Sequence, residues 1–367
     1  MKIDFANLNR QYNLIKKDLL VNLKKLLESS QFILGEKVLE LEEKLKTFVN
    51  SKYCIATSSG TDSLLLSLLA INVEKDDEII TTPFTFIATA EVISLLKAKP
   101  VFVDIDEITY NINPNLIENK ISKKTKAIIA VNLFGQPADF DKINSIAQKH
   151  NLIVIEDAAQ SFGAEYKGEK SCNLTDMGCT SFFPSKPLGC YGDGGAVFTN
   201  QKNIYEKLIV LRNHGEISKY NHKYIGLNAR LDAIQAVILI EKLKIFKIEI
   251  EKRNNIAYSY MEKLKKINKI ILPNIKENRT SVWAQFSIRA KNRDKLKLYL
   301  QDKGIPTAIH YPRPLHMQEC FKYLGYKKDD FPVAEKISEE IISLPMNPYL
   351  KNEEIEYICE QIYKFYN

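Results

Sequence analysis

Apolar residues recur at helical spacing near the start of the chain. Over residues 11–28, Leu14, Ile15, Leu19, Leu23, Leu26 and Leu27 fall on one face. Gly35 precedes a second helix, over about 36–49. From about 53 to 200 the texture changes. Short β-branched runs (YCIAT, DEIITT, KPVFVDI, KAIIAVNLF, LIVIED, GCTSFF, GGAVFTN) alternate with helical stretches over 60–71, 86–97, 113–120 and 138–150. Repeated strand–helix units predict an α/β fold with a mostly parallel sheet and helices on both faces. In such sheets ligands bind beyond the carboxyl ends of strands. No element is assigned between 200 and 230. A long helical stretch then runs to about 266. It is followed by the strand-like SVWAQFSIRA and by helices near 294–303, 331–342 and 352–366. The expected organisation is a large α/β domain over 1–235, including the N-terminal helices, and a smaller C-terminal α+β domain over 236–367.

Composition narrows the class. The chain has 367 residues, enough to bury a sizeable core, with 45% hydrophobic and 26% charged residues, both ordinary for a globular protein. Its net charge of +7 is spread along the length. No basic block interleaves with aromatics, so nucleic acid is not the expected partner. A mild positive field favours an anionic small substrate instead. The six cysteines form no C-x-x-C pair and match no zinc or haem spacing, so reduced thiols and no metal are expected. The first 20 residues lack the apolar core of a signal peptide, and no apolar run reaches membrane-spanning length. The expectation is a cytoplasmic protein with no membrane partner.

Four short stretches carry chemistry. In SSGTDSLLLSLLA, a small polar turn opens a helix. Ser59, Gly60 and Thr61 could cradle a phosphate on free N–H groups, or simply cap the helix. In IVIEDAAQSFGA, a buried strand ends in Glu156 and Asp157. A carboxylate there can hold a cationic ring nitrogen protonated, cap a helix or bind metal; the absence of a His or Cys cluster argues against the last. In TSFFPSKPLGCYGDGGAVFTN, Lys186 stands between Pro184 and Pro187, which stiffen the backbone on each side. Apolar, rigid surroundings lower an amine's pKa and fix its stem, as a nucleophilic or Schiff-base lysine requires. Ser181 could add a hydroxyl to the anion site. In TTPFTFIATAE, Phe84 or Phe86 could stack on a flat cofactor, or both could be core. Each stretch has a plain structural alternative. Together, an anion cradle, an aromatic platform, a strand-end Asp and an immobilised Lys are the parts a pyridoxal 5'-phosphate site needs.

The stretches EDAAQSFGA, SFFPSKPLG and GLNARLDAIQAV, in that order, resemble the DegT/DnrJ/EryC1/StrS family of nucleotide-sugar aminotransferases. The resemblance runs from NRQYNLIKKDL to SLPMNPYL, nearly the whole chain. It implies a fold-type-I pyridoxal phosphate enzyme. Lys186 would hold the cofactor and shuttle the proton, Asp157 would pair with the ring nitrogen, and Gln160 would lie near the phenolic oxygen. Phe86 would stack on the ring, and Ser59, Gly60, Thr61 and Ser181 would hold the phosphate. Asn228 would reach the phosphate of a neighbouring subunit, making a homodimer with shared active sites. Arg230 would meet substrate anions. His310 and Tyr311, with Ser185 beside the lysine, would face the sugar, and Ser30 and Phe32 would touch the nucleotide-sugar. For His214 and His316 the expectation is a structural role. The resemblance implies L-glutamate as amino donor. The acceptor it points to is the C3 ketone of UDP-2-acetamido-2-deoxy-3-keto-glucuronate, for a bacterial surface polysaccharide such as O-antigen or capsule. Relatives acting on dTDP-linked 3-keto or UDP-linked 4-keto hexoses share the same catalytic residues. Three rivals fare worse. A deoxygenating dehydratase of this fold would replace Lys186, commonly with His. A non-catalytic sensor would be expected to lose Lys186 or Asp157. A nicotinamide enzyme would show G-x-G-x-x-G after the first strand.

Overall fold

The structure, a computed structural model, describes residues 3–367. Two amphipathic helices, α1 (Leu8–Ser29) and α2 (Gly35–Val49), open the chain. They bury Leu19, Leu26, Leu41 and Leu45 against the rest of the protein. The central sheet has seven strands: β1 (Tyr53–Thr57), β2 (Glu78–Thr81), β3 (Lys99–Phe102), β4 (Thr125–Val131), β5 (Ile153–Asp157), β6 (Met177–Ser181) and β7 (Gly195–Thr199). Their spatial order is β1-β7-β6-β5-β4-β2-β3. Only β7 runs against its neighbours; every other pair in the sheet is parallel. Helices α3 (Gly60–Ala70), α4 (Ala88–Leu95), α5 (Phe140–His150) and α6 (Lys202–Arg212) link or flank these strands. Because both faces are covered, β4 is buried from Ala127 to Val131, which is why it reads as a continuous apolar run.

The 32-residue α7 (Ala233–Leu264) follows. Its first half, including Leu239 and Phe246, packs with α1 and α2. Its second half, from Ile256 to Leu264, joins a different core built on Phe286, Ile288, Leu296, Ile342 and Ile358. That core covers a three-stranded antiparallel sheet of β8 (Ile270–Ile271), β9 (Phe286–Ala290) and β10 (Ile341–Leu344). Around it lie α8 (Arg293–Asp302), α9 (Pro332–Glu340) and α10 (Asn352–Tyr366).

Some elements differ from the sequence expectation. Residues 113–120 form two short 3-10 turns, Pro114–Leu116 and Glu118–Lys120, the first capped by the Asn113 side chain, which accepts from Asn115 N–H. The helix expected over 86–97 begins at Ala88, which leaves Phe84 and Phe86 in the turn before it. The helix expected over 331–342 ends at Glu340, and IISL turns into β10, paired with β9. Helix α6 occupies part of the stretch left unassigned.

Candidate active site

The carboxyl ends of β5 and β6, the turn into α3 and the loop after β6 converge. Strand alternation separates the two carboxylates at the end of β5. Glu156 turns into the fold. Its Oε1 accepts from Asn132 Nδ2 (2.7 Å), Ser171 Oγ (2.6 Å) and Cys172 N–H (2.9 Å). Burial nevertheless pushes its carboxyl up to about 7. Its work is to pin the 171–174 loop. Asp157 faces the other way. Its Oδ2 accepts from Thr89 Oγ1 (2.8 Å) and its Oδ1 from Ala159 N–H (3.2 Å). Burial raises its pKa, against those two bonds and the charge of Lys186.

That charge comes from the 182–190 loop, which folds back on itself. Lys186 N–H donates to Phe183 O (2.8 Å), and Cys190 N–H donates to Phe182 O (2.8 Å). Gly189 is required here, since a Cβ would lie 2.5 Å from Pro184 O. The loop therefore offers its lysine one direction. Burial lowers the Lys186 amine below the ordinary lysine value, and only the charge of Asp157 opposes the shift. Among the described residues the amine has neither a hydrogen-bond acceptor nor an ion-pair partner. His310 lies in the field of the same amine. Burial first, and Lys186 second, lower its imidazole to about 4, so it is neutral at physiological pH. Its Nδ1 lies 2.9 Å from Ser343 Oγ.

At the start of α3 the Ser59 hydroxyl accepts from Asp62 N–H (3.0 Å), the ordinary capping bond. Gly60 and Thr61 N–H find no partner among the described residues. Gly60 abuts Ser181: a Cβ on Gly60 would sit 2.6 Å from Ser181 Cβ. The hydroxyl of Ser181 and two free N–H groups thus form one small anion-binding cradle. Of the two phenylalanines, Phe84 is core and Phe86 is 54% exposed. The Phe86 ring lies 6.4 Å from Tyr311. Gln160 is fixed at both ends: Oε1 accepts from Phe134 N–H (2.8 Å) and Nε2 donates to Tyr311 OH (3.2 Å). Beside Lys186 opens a cavity of about 280 Å³, lined in part by Ser185, Arg253, Gln285, His310 and Tyr349. A larger open cleft, about 660 Å³, lies at the amino end of β5 and shares no residue with this cavity. No cluster among the described residues could hold a metal ion, and none of their helices is long and apolar enough to cross a membrane.

Other expected residues lie outside this cavity within one chain. Ala229 O accepts from Ser58 N–H (3.0 Å), so Asn228 and Arg230 run beside the turn into α3, joined to each other by Arg230 Nε donating to Asn228 Oδ1 (2.8 Å). Phe32 O accepts from Ala233 N–H (2.9 Å), which ties the exposed Ser30–Phe32 segment to the start of α7. Neither pair lines the cavity. His316 is structural, buried with Nε2 3.0 Å from Glu335 Oε1. His214 is exposed. The residues that sequence reasoning missed are Thr89, Arg253, Gln285 and Tyr349. Only Thr89 left a trace, as a polar residue four positions after Thr85 at the head of an apolar helix.

The family model for DegT/DnrJ/EryC1/StrS aminotransferases matches residues 13–363. The chain belongs to this family. It is 48% identical to the UDP-2-acetamido-2-deoxy-3-oxo-D-glucuronate aminotransferase of Pseudomonas aeruginosa, over 97% of this chain and 98% of that one. It is 43% identical to a pleiotropic regulatory protein of Geobacillus stearothermophilus, over 100% and 99%. Among solved structures it is similar to NtdA from Bacillus subtilis with the cofactor PMP bound (31% identity, TM-score 0.90, 99% of this chain and 85% of that one). The chain is thus an aminotransferase by family, and its residues fit that family's cofactor. The N–H and hydroxyl cradle at Gly60 and Ser181, the exposed face of Phe86, the buried Asp157 and the unpartnered Lys186 amine match phosphate, ring, ring nitrogen and aldehyde respectively.

Proposed function

We propose that this chain is a pyridoxal phosphate-dependent aminotransferase that moves an amino group from L-glutamate to the C3 ketone of UDP-2-acetamido-2-deoxy-3-keto-glucuronate. The observation that carries the reading is the Lys186 amine: desolvated, without an acceptor among the described residues, and in the field of the buried Asp157. The sugar is taken from the Pseudomonas relative, whose likeness spans both chains almost entirely. When bound, the cofactor supplies an electron sink for the pair released as a C–H bond beside nitrogen breaks.

The rest falls to the chain's own residues. Lys186 holds the cofactor by its aldehyde. Its amine, when free, would take the proton from the donor α-carbon and, in the second half, would deliver one to the sugar C3. Its lowered pKa raises the fraction of neutral amine available for the first task. The neutral His310 places no second cation beside it. Asp157 keeps the ring nitrogen protonated, and Thr89 and Ala159 N–H fix its two oxygens in advance. Gly60 and Thr61 N–H, with Ser59 and Ser181, hold the phosphate. Phe86 covers the ring, and Gln160 stands beside its phenolic oxygen. Ser185, His310 and Tyr311 face the sugar. The working unit is a homodimer in which the partner subunit's Asn228 completes the phosphate site. Arg230, Ser30 and Phe32 then reach the sugar nucleotide across the interface. Each chain comprises a cofactor domain over 1–235 and a smaller one over 236–367, and the product serves surface-polysaccharide synthesis in the cytoplasm. The regulatory name of the Geobacillus relative offers another reading. The complete lysine–aspartate arrangement weighs against it.

The test is an absorbance spectrum of the purified protein with pyridoxal phosphate. A yellow band should bleach with L-glutamate and return with the UDP-linked 3-keto uronate. Bleaching without return would reject this sugar and keep the aminotransferase. A protein that binds no chromophore would overturn the proposal.

A further inference from the structure

Four arginines are buried among the described residues: Arg212, Arg253, Arg289 and Arg293. Three of them are ion-paired. Arg212 meets Glu42, Arg289 meets Glu107 and Glu340, and Arg293 meets Asp294. Arg253 has no carboxylate within ion-pair distance among the described residues, and Glu249 acts on it only at longer range. Burying a cation without a counter-ion is costly, and native folds normally supply one.

The hydrogen bonds of Arg253 use a single nitrogen. Nη1 donates to Trp283 O (3.0 Å) and Met346 O (3.3 Å). Nε is unpaired and sealed from solvent. Nη2 also bonds to nothing among the described residues, yet unlike Nε it keeps accessible surface. The side chain borders the cavity of about 280 Å³ that Lys186 also borders. It takes no part in lining the adjoining pocket of about 20 Å³. Nη2 is therefore the unpaired atom of the guanidinium that a ligand in the larger cavity can reach. Burial lowers the guanidinium to about 10, against the charges of Glu249 and Tyr349, so it remains a cation at neutral pH. Glu249 is already held by neutral donors: its oxygens accept from Gln11 Nε2 (2.9 and 3.1 Å) and from Tyr349 OH.

A donor that carries charge and lacks an acceptor fits an anion best, since charge-assisted bonds are the strong ones. The volume suits an amino acid or a single sugar ring. A diphosphate would bring its nucleotide with it, more than this space holds. A carboxylate fits both limits. Two substrates of the proposed reaction carry one, the amino donor and a uronate sugar, and both must bring a carbon to Lys186.

We propose that Arg253 Nη2 receives a substrate carboxylate, which makes this cavity the carboxylate subsite of the enzyme. The assignment rests on the aminotransferase reading above and names a group that its site holds.

The experiment is calorimetric binding to the holoenzyme, wild type against Arg253→Gln and Arg253→Lys. Glutarate, which has no amine to react, is compared with its uncharged diamide, and UDP-glucuronate with UDP-glucose. In at least one pair wild type should favour the carboxylate by about 10-fold or more, and Arg253→Gln should shrink that preference to within about 3-fold. Arg253→Lys keeps the cation, but its one nitrogen is taken by the two carbonyl oxygens, so the preference should still fall by about 3-fold or more. A loss confined to glutarate assigns the subsite to the donor, one confined to UDP-glucuronate assigns it to the sugar, and a loss in both means that the two use it in turn. No preference in either wild-type pair, or one that survives undiminished in a folded variant, would overturn the assignment. Bleaching of the wild-type chromophore by L-glutamate needs none of these probes. Its failure would strike the aminotransferase reading, while the binding ratios still decide the role of Arg253.

Discussion

Two amines that the fold draws away from water meet at the same loop and have opposite fates. Lys186 belongs to the loop; Lys242 reaches it from α7. Burial lowers the pKa of both, Lys242 to about 8. The difference lies in their partners. Lys242 Nζ donates to Gly189 O (2.6 Å) and stands 4.1 Å from the centroid of the Tyr191 ring, a cation–π distance. Among the described residues Lys186 has no acceptor. Desolvation alone therefore does not make a lysine reactive. An amine that is desolvated and hydrogen-bonded is a fastening, and one that is desolvated and left unpaired is available for chemistry. In this loop the first holds the backbone from which the second projects.

Replacing each lysine should separate these roles. Lys186→Ala should lower turnover below about one ten-thousandth of wild type, since it removes both attachment and proton transfer. The retained cofactor should then wash out on dialysis. Mixing this variant with inactive Asn228→Asp chains should restore part of the activity if sites are shared between subunits. Heterodimers that form and stay inactive would refute sharing. Asp157→Asn should leave the loop and its amine in place yet slow both half-reactions by about 100- to 1,000-fold, read by stopped-flow absorbance, because a neutral amide cannot hold the ring nitrogen protonated. Wild-type rates would remove Asp157 from the mechanism.

The smallest effect should come from Lys242→Met. Losing the bond to Gly189 O costs about 1–3 kcal/mol, and releasing a desolvated cation offsets part of that. The clearer signature is in pH. Lys242 has a folded pKa near 8 against an ordinary 10.5, so the unfolded chain binds more protons between those values. Wild-type stability should gain a rising contribution from pH 8 to 10.5, with the penalty fully present below 8. Urea melts of Lys242→Met should lack that contribution. Equal slopes in the two proteins would mean that Lys242 is not desolvated.

The contrast also explains what could be read in advance. Lys186 and Asp157 were legible because each sits in a stretch whose own residues betray it: two prolines around the lysine, and a buried strand ending at the carboxylate. The alternating strands and helices up to residue 200 were legible for the same local reason. Lys242 was not, since a lysine in a lysine-rich helix reads as solvated until the fold brings Gly189 and Tyr191 against it. Gln285 and Thr89 depend in the same way on contacts between distant elements. Glu156 and Asp157 looked equivalent until pairing with β4 and β6 fixed which face each occupies. Helix α6 did carry a readable pattern, with Ile204, Leu208 and Leu211 buried on one face. Its few turns are simply short beside α7.

Helix α7 joins these observations. It fastens the loop of Lys186 through Lys242, and three turns later it fastens the backbone at Trp283 and Met346, beside or within the same cavity's lining, through Arg253. At 1.5 Å per residue those two anchors are about 16 Å apart along the axis. The helix therefore acts as a gauge block for the cavity, setting the spacing between the loop that carries the amine and the segments that Arg253 holds. Loops elsewhere can lengthen without disturbing that spacing. A single residue inserted between Lys242 and Arg253 would swing one anchor by about 100° relative to the other and leave the two sides of the cavity out of alignment.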